Sequence, residues 1–300
     1  MSAQTDNRLL KPEVLARLGN LDLVAKAVVE GITTGLHRSL HFGFSQEFAE
    51  YRAYNEGDDL RYVDWNVYAR TDRTYIKRFE GETNTTISLL LDASASMGFG
   101  EPVSKLDQAR YLLASLAYIA KKQHDAISLA VFNESVQHYL PPSARPDSLM
   151  RALRVLETIT ASQGTDISDA LTSLQASMGR RRGLVVLVSD LYANAEDLVA
   201  SLQPLAHAGQ DIAVFHLLDP AEVEPTLKTI SALKDLETQE SVIVDPEFLA
   251  GAYRKRFKAH CEAMQQACLR TGADYTQVST DEPLDVALQS YIRFRERRGR

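Results

Sequence analysis

The chain has 300 residues, of which 45% are hydrophobic and 24% are charged, a composition typical of a soluble globular protein. This length allows one large domain, or one domain with a smaller extension. The formal net charge of -7 disfavours general binding to nucleic acid or to anionic membrane surfaces.

The cysteines and the N-terminal residues together indicate a cytoplasmic protein. Cys261 and Cys268 lie in one predicted helix, about 10 Å apart along its axis, which is too far for an undistorted disulfide. Two free thiols suit a reducing compartment. The N-terminus has no apolar signal core, and the longest uncharged apolar stretch, Tyr111–Ala120, is too short to span a membrane. We therefore expect a cytoplasmic location and no membrane span.

Residues 1–84 have a different pattern from the rest of the chain. Apolar positions between residues 12 and 30 follow a helical period that is interrupted at Gly19-Asn20. Residues 47–80 mix aromatic and charged side chains at short spacing, which predicts two or three short strands. We assign residues 1–84 to an N-terminal extension.

From residue 85 onward, apolar runs alternate with amphipathic segments in a βαβ order. The predicted strands are Thr86–Asp92, Ala126–Phe132, Val136–Leu140, Leu184–Asp190, Ile212–Leu218 and Tyr275–Val278. The predicted helices are Ser104–Gln123, Pro146–Thr158, Ile167–Met178, Glu196–Ala206, Pro246–Thr271 and one that begins near Pro283. We expect the third strand to end at Pro141-Pro142, because proline cannot continue a ladder. The order predicts an α/β fold with a doubly wound, mostly parallel sheet over residues 85–300 and an inserted hairpin near residues 228–245.

Oxygen-bearing side chains occupy the ends of two predicted strands. Asp92 ends one strand, and Ser94 and Ser96 follow at alternate positions of the next loop. Asp190 ends a second strand, and Thr165 precedes an amphipathic segment. Carboxylate and hydroxyl oxygens suit a hard cation such as Mg2+. Doubly wound sheets bind ligands outside the carboxyl ends of their strands, so the fold and the donor set predict the same edge.

The segment Asp92-Ala93-Ser94-Ala95-Ser96 resembles the D-x-S-x-S motif of the metal-ion-dependent adhesion site in von Willebrand factor type A domains. That site adds a downstream Thr and a further Asp, which Thr165 and Asp190 match in order. The resemblance implies a Mg2+ ion, with Mn2+ or Ca2+ as alternatives. Ser94, Ser96 and Thr165 would touch it directly, and Asp92 and Asp190 would complete the shell directly or through water. The plainer alternative is that these residues are helix caps and turn formers.

A longer stretch before this site carries a second resemblance. It contains the segments Gly35-Leu36-His37-Arg38-Ser39, Glu47-Phe48-Ala49-Glu50-Tyr51-Arg52-Ala53-Tyr54, Gly57-Asp58-Asp59-Leu60-Arg61, Asp64-Trp65 and Ala69-Arg70. This signature resembles that of the bacterial domain-of-unknown-function family 58, whose members carry it before a von Willebrand type A-like domain. The resemblance implies a partner of MoxR-type AAA+ ATPases that acts in the assembly or maturation of other proteins.

The signature itself allows two interpretations. Arg52 and Asp64 belong to a run of alternating charges that would form a structural ion-pair network, which we favour because charged groups that cannot reach water must pair. Alternatively, the segment is a docking face on which Trp65 and Tyr51 anchor a partner.

Enzymatic alternatives have weaker support. His37 and His41 lack the Glu that a zincin carries directly after its first His, and the sequence contains neither a G-x-S-x-G elbow nor a P-loop. The strongest alternative is a Mg2+-dependent phosphatase with Asp92 as nucleophile. Haloacid-dehalogenase-type enzymes need a second Asp two residues on, where this chain has Ser94. We therefore expect a non-enzymatic module that binds a Glu or Asp of a MoxR-type ATPase or of a client protein through its metal ion.

Overall fold

The computed structural model describes residues 11–292 except 37–46, 55–62, 72, 81–84, 163, 165–166, 168–170, 173–174, 176–181, 226–230, 235–240, 245–248, 286 and 290. The chain divides into two compact units. The larger unit contains residues 1–34 and 85–300, and the smaller one contains residues 35–84.

The larger unit is built on a six-stranded sheet. The strands of the described residues are β1 Glu47–Ala53, β2 Tyr75–Glu80, β3 Thr86–Asp92, β4 Ala126–Phe132, β5 Val136–Ser143, β6 Gly183–Ser189, β7 Asp211–Leu218, β8 Ser231–Lys234, β9 Ser241–Val244 and β10 Asp274–Ser279. The main sheet has the order β10-β7-β6-β3-β4-β5. All its neighbours are parallel except β5, which runs antiparallel to β4 at one edge. The predicted α/β fold with a mostly parallel sheet is therefore confirmed.

The strand order reverses between β3 and β6. From β3 the chain moves to β4 on one side, and it later returns to β6 on the other side. Because the two connections leave in opposite directions, a crevice opens at the carboxyl ends of β3 and β6, where doubly wound sheets bind ligands. Asp92 is the last residue of β3, and Asp190 directly follows β6.

The helices of the described residues are α1 Pro12–Leu15, α2 Leu21–Leu36, α3 Trp65–Thr71, α4 Lys105–Lys122, α5 Ser148–Thr158, α6 Ala195–His207, α7 Pro220–Val223 and α8 Arg254–Thr271. Helix α4 begins where the sequence predicts because the Ser104 hydroxyl accepts a hydrogen bond from the Asp107 backbone N–H at 3.1 Å. Its apolar face packs against β3 and β4, and Leu112, Leu113 and Leu116 on it are fully buried. Within the described ranges, no helix combines the length and the apolar character that a membrane span requires.

Strand β5 differs from the prediction, because it continues through Pro141-Pro142 to Ser143. It lies at the edge of the sheet, where a residue without an N–H is tolerated. The pairing register with β4 also shifts between Leu140 and Ser143, so the prolines occupy an irregular stretch.

Three other predicted segments have different outcomes. The predicted helix Pro246–Thr271 is shorter, because α8 begins only at Arg254, after a π-helical turn over Leu249–Tyr253. The predicted helix Ile167–Met178 lies largely outside the described residues. The separate antiparallel pair of β8 and β9 lies in the segment where we placed a hairpin insertion.

The smaller unit contains the antiparallel pair of β1 and β2, in agreement with the two or three strands predicted there. The sequence did not predict α3, which begins directly after Asp64. Asp64 is buried, its backbone N–H donates to the Tyr75 carbonyl at 3.0 Å, and its Oδ1 accepts from the Val67 N–H at 3.2 Å. Asp64 therefore caps α3 and ties it to β2, which supports the structural interpretation of this signature residue.

We predict that Asp64→Ala lowers the free energy of unfolding by about 1 kcal/mol, because α3 loses its cap. Urea unfolding measures this change. The matched control is Asp147→Ala, since Asp147 also precedes a helix but makes no side-chain cap hydrogen bond. The control is expected to stay within about 0.5 kcal/mol of wild type. Equal effects of the two substitutions would show that the Asp64 cap contributes nothing specific.

Candidate metal centre

Asp92 is the centre of a hydrogen-bonded loop at the end of β3. It is completely buried. Its Oδ1 accepts a hydrogen bond from the Ser94 N–H at 2.9 Å, and its Oδ2 accepts one from the Ser189 hydroxyl at 2.6 Å. The second contact joins the ends of β3 and β6. The carboxylate is therefore held in the crevice where the strand order reverses, which is the topological switch point of the sheet.

Ser94 and Ser96 place their hydroxyls together beside Asp92. The 3-10 turn Ala95–Gly98 folds the loop back, which brings the two Oγ atoms to 3.0 Å from each other. Both serines are buried. Their oxygens and the Asp92 carboxylate therefore belong to one tight loop, as the motif predicts.

Thr165 lies outside the described residues, but two residues shortly before it make hydrogen bonds to neighbouring segments. The Ser162 N–H donates to the Ala93 carbonyl at 3.0 Å. The Gly164 N–H donates to a carboxylate oxygen of Glu134 at 3.3 Å. The chain that leads up to Thr165 is thus anchored next to the Asp92 loop at Ser162 and near the end of β4 at Gly164.

Asp190 is the second buried carboxylate of the site. Its Oδ2 accepts a hydrogen bond from the Lys105 ammonium at 2.7 Å. Its Oδ1 is buried and accepts no hydrogen bond within the described part of the chain. Leaving such an oxygen without a partner costs free energy, so Oδ1 is the atom of this site most in need of a further cation or donor.

The two carboxylates interact electrostatically. Burial, followed by the negative charge of Asp190, raises the pKa of Asp92 to about 7. Two like charges held close together in a buried place disfavour each other's ionisation. A divalent cation between Asp92 and Asp190 would remove this penalty.

The backbone that carries Asp190 is held in an uncommon conformation. Leu191, the next residue, has a φ of 51°, which a non-glycine side chain rarely adopts. Its N–H donates to the Ser189 hydroxyl at 2.9 Å, and its carbonyl lies 3.1 Å from Nε2 of His260. These contacts on both sides stabilise the strained turn and therefore fix where Asp190 points.

His216 supports the same turn from β7. Its Nε2 lies 2.9 Å from the Asp190 carbonyl oxygen, and its Nδ1 lies 2.7 Å from the Tyr275 hydroxyl. A carbonyl can only accept, so Nε2 carries the proton and Nδ1 accepts from Tyr275. Burial lowers the pKa of His216 to about 4, so the ring is neutral and keeps this tautomer at neutral pH.

The structure adds two residues that the sequence analysis missed, Lys105 and Glu222. Lys105 is fully buried, and its ammonium also contacts Glu222 Oε1 at 2.6 Å. Burial by itself would lower the pKa of Lys105, but Asp190 and Glu222 outweigh it, and the pKa stays above its ordinary value. One sequence signal pointed to Lys105, since a cation in the first turn of a helix opposes the helix dipole. Glu222 follows a third strand-end acid, Asp219.

The residues present fit a hard divalent cation. The structure brings Asp92, Ser94, Ser96 and Asp190 to one crevice, with a carboxylate oxygen available on Asp190. Among the described residues, no group of three or more His, Cys, Asp or Glu side chains forms a conventional metal site. A hydroxyl-rich oxygen set suits Mg2+ or Ca2+ and disfavours Zn2+, which prefers nitrogen and sulfur.

Comparisons with known proteins find similar sequences and similar structures. Uncharacterized protein Rv1480 of Mycobacterium tuberculosis is 25% identical over 293 residues, which are 95% of this chain and 91% of that protein. The crystal structure of the conserved hypothetical protein BatB from Bacteroides thetaiotaomicron matches with a TM-score of 0.50 at 18% identity, covering 71% of this chain and 99% of that one. The SpRpn10 VWA domain matches with a TM-score of 0.41 at 10% identity, covering 69% and 96%.

A family profile gives the assignment. The family described as "Protein of unknown function DUF58" matches residues 50–267, which include most of the upstream signature, both strand-end acids of the crevice and helix α4. The predicted family resemblance is therefore confirmed, and the chain belongs to the DUF58 family.

Proposed function

We propose that this protein is a non-enzymatic protein-interaction module that binds an acidic side chain of its partner through Mg2+. The observation that carries the proposal is the convergence of Asp92, Ser94, Ser96 and Asp190 at the switch point, with Oδ1 of Asp190 buried and without a hydrogen bond in the described residues. The von Willebrand type A-like fold supports a role in protein interaction.

The donor set explains why a partner carboxylate would be the preferred ligand. Ser94 and Ser96, together with Thr165, would supply neutral oxygens. Asp92 and Asp190 would supply the charge. Because few of the direct ligands are charged, the bound ion stays electrophilic, and a position held by water is open to a Glu or Asp of the partner.

A phosphatase activity has less support from the geometry. A nucleophilic carboxylate needs an oxygen that can reach a phosphorus atom. Both oxygens of Asp92 accept hydrogen bonds, from the Ser94 N–H and the Ser189 hydroxyl, so neither is a free nucleophile. Ser94, which occupies the position of the acid and base residue in haloacid-dehalogenase-type enzymes, cannot transfer a proton as a carboxylate does at neutral pH.

The proposed partner is a MoxR-type AAA+ ATPase or its client. The sequence contains no P-loop, and the proposal therefore assigns ATP hydrolysis to a second protein. The resemblance of the upstream signature to the MoxR-associated family suggests that this second protein is an ATPase of the MoxR type.

The first prediction is that Mg2+ stabilises the fold. At 100 times its Kd, Mg2+ should raise the free energy of unfolding by about 2.7 kcal/mol. Asp92→Ala should abolish this increment, and Ser96→Ala should reduce it. The control Ser128→Ala removes another buried hydroxyl, which donates to the Leu140 carbonyl outside the site, and it should retain the full increment. Equal increments in wild type and Asp92→Ala, measured by urea unfolding, would exclude the site.

The second prediction concerns pH. The pKa of Asp92 is raised to about 7 in the folded state, while an unfolded Asp titrates near about 3.9. The folded protein therefore holds this proton between the two values, and without metal its stability falls as pH rises from about 4 to 7. The stability of Asp92→Asn relative to wild type should increase by roughly 2–4 kcal/mol over this range. Urea unfolding in EDTA at several pH values measures this difference in stability. If Asp92 had an ordinary pKa in the metal-free protein, the difference would stay constant over this pH range.

The third prediction concerns the partner. Binding of the purified MoxR-type ATPase should be lost in EDTA and restored by Mg2+, because the metal is the contact. Ser96→Ala should weaken the complex without unfolding the protein, and Ser128→Ala should leave it unchanged. Changing the contacting Glu or Asp of the partner to its amide should have the same effect as EDTA. Complex formation that is insensitive to EDTA and to Ser96→Ala would instead favour the exposed aromatic pair Trp65 and Tyr68 as the docking point.

A further inference from the structure

Lys105 places a buried positive charge at the candidate metal centre. Its ammonium lies 2.7 Å from Oδ2 of Asp190 and 2.6 Å from Oε1 of Glu222, and none of its side chain is exposed. The rings of Tyr192 and Phe99 lie 4.9 Å and 5.8 Å from Nζ. The ammonium therefore sits in a closed compartment of two carboxylates and two aromatic faces.

Burying the Lys105 ammonium costs folding free energy that packing alone would not require. Moving an ammonium out of water costs several kcal/mol, and a buried ion pair is often no more stable than apolar side chains of the same volume. Lys105 is also the first residue of α4, where the helix dipole disfavours a positive charge. A methionine would fill the same space without either cost.

Hydrogen bonds also fix the position of Glu222. It belongs to the short helix α7, where its carboxylate accepts from the Asp219 N–H at 3.3 Å in a capping box. Asp219 is itself held by the Thr280 hydroxyl at 2.6 Å. The carboxylate that shares Lys105 with Asp190 is thus fixed by the fold and does not swing in from a flexible loop.

The charges decide what the loaded site can bind. Asp92, Asp190 and Glu222 carry three negative charges when ionised, and a divalent cation cancels two of them. Without Lys105, the loaded site would keep one negative charge and would repel a carboxylate. With Lys105, the loaded site is neutral, and Asp190 offers only its Oδ1 to the metal because Oδ2 is bonded to the ammonium.

We propose that Lys105 is a positioning residue that makes the metal-loaded site selective for an acidic partner, because its fixed charge offsets Glu222 and occupies one oxygen of Asp190. The inference rests on the proposed metal-dependent function. It adds that the same charge that admits the partner carboxylate weakens the binding of the metal.

Two substitutions of opposite sign test this inference. Lys105→Met makes the site more negative, so Mg2+ should bind roughly tenfold or more tightly, while a carboxylate should bind the loaded protein more weakly. Glu222→Gln makes the site less negative and keeps one oxygen to accept from Lys105, although it gives up the long 3.3 Å hydrogen bond from the Asp219 N–H, so both effects should reverse. The control Glu224→Gln makes the same charge change two residues on, at an exposed carboxylate, and should alter neither affinity more than about twofold.

The measurements are calorimetric titration with Mg2+ alone and NMR titration of the Mg2+-saturated protein with an acetylated, amidated Gly-Glu-Gly peptide. Gly-Gln-Gly serves as the uncharged comparison. Opposite shifts in the two variants support the inference, since a purely structural role would weaken both kinds of binding in both. If Lys105→Met does not fold, Glu222→Gln decides alone: unchanged or weaker peptide binding overturns the inference. If wild type binds no Mg2+, the proposed function fails first. If wild type binds Mg2+ but the variants shift in the same direction, only the role of Lys105 is lost.

Discussion

The edge of the sheet that carries the candidate site depends on the repulsion between two buried carboxylates, Asp92 and Asp190. Neither can move away, because the Ser189 hydroxyl ties Asp92 to the end of β6, and two histidines hold the backbone around Asp190. A nearby positive charge lowers the repulsion between two such carboxylates. One positive charge, from Lys105, is part of the fold. A second, from a divalent cation, is what the remaining oxygen donors are suited to hold.

The topology explains why the carboxylates meet at all. Parallel strands point their carboxyl ends in the same direction, and the reversal of strand order between β3 and β6 opens a crevice at that edge. A strand-end acid on each of these neighbours is then brought to one place without any long loop. Strand β7 is followed by a third acid, Asp219, which caps the short helix that presents Glu222.

The neutral members of the site serve a different purpose. His216 stays uncharged because burial lowers its pKa to about 4, so it supports the Asp190 turn as a fixed hydrogen-bond donor and adds no charge. Ser94 and Ser96 likewise supply oxygens without charge. Among the described residues, the charge of the crevice therefore comes from Asp92, Asp190, Glu222 and Lys105, and the surrounding polar groups position these side chains.

Local patterns in the sequence determined much of this protein. Apolar runs bounded by turn residues located β3, β4, β6 and β7, because a strand covered on both faces must be apolar along its length. The D-x-S-x-S spacing and the Asp after β6 located four of the oxygen donors, because strand ends of a parallel sheet share an edge. The Ser104 cap located the start of α4, because capping depends on residues within one turn.

Tertiary structure decided what depends on distant partners. Lys105 acquires its role from Asp190 and Glu222, which are 85 and 117 positions away, and in the sequence it is only a lysine at the start of a helix. The Pro141-Pro142 pair stays within β5 because no described strand on the outer side of this edge needs the missing N–H groups. Similarly, α3 forms where Asp64 caps it against β2. Each of these outcomes depends on which groups the fold brings within hydrogen-bonding distance, and the sequence pattern around a residue does not contain that information.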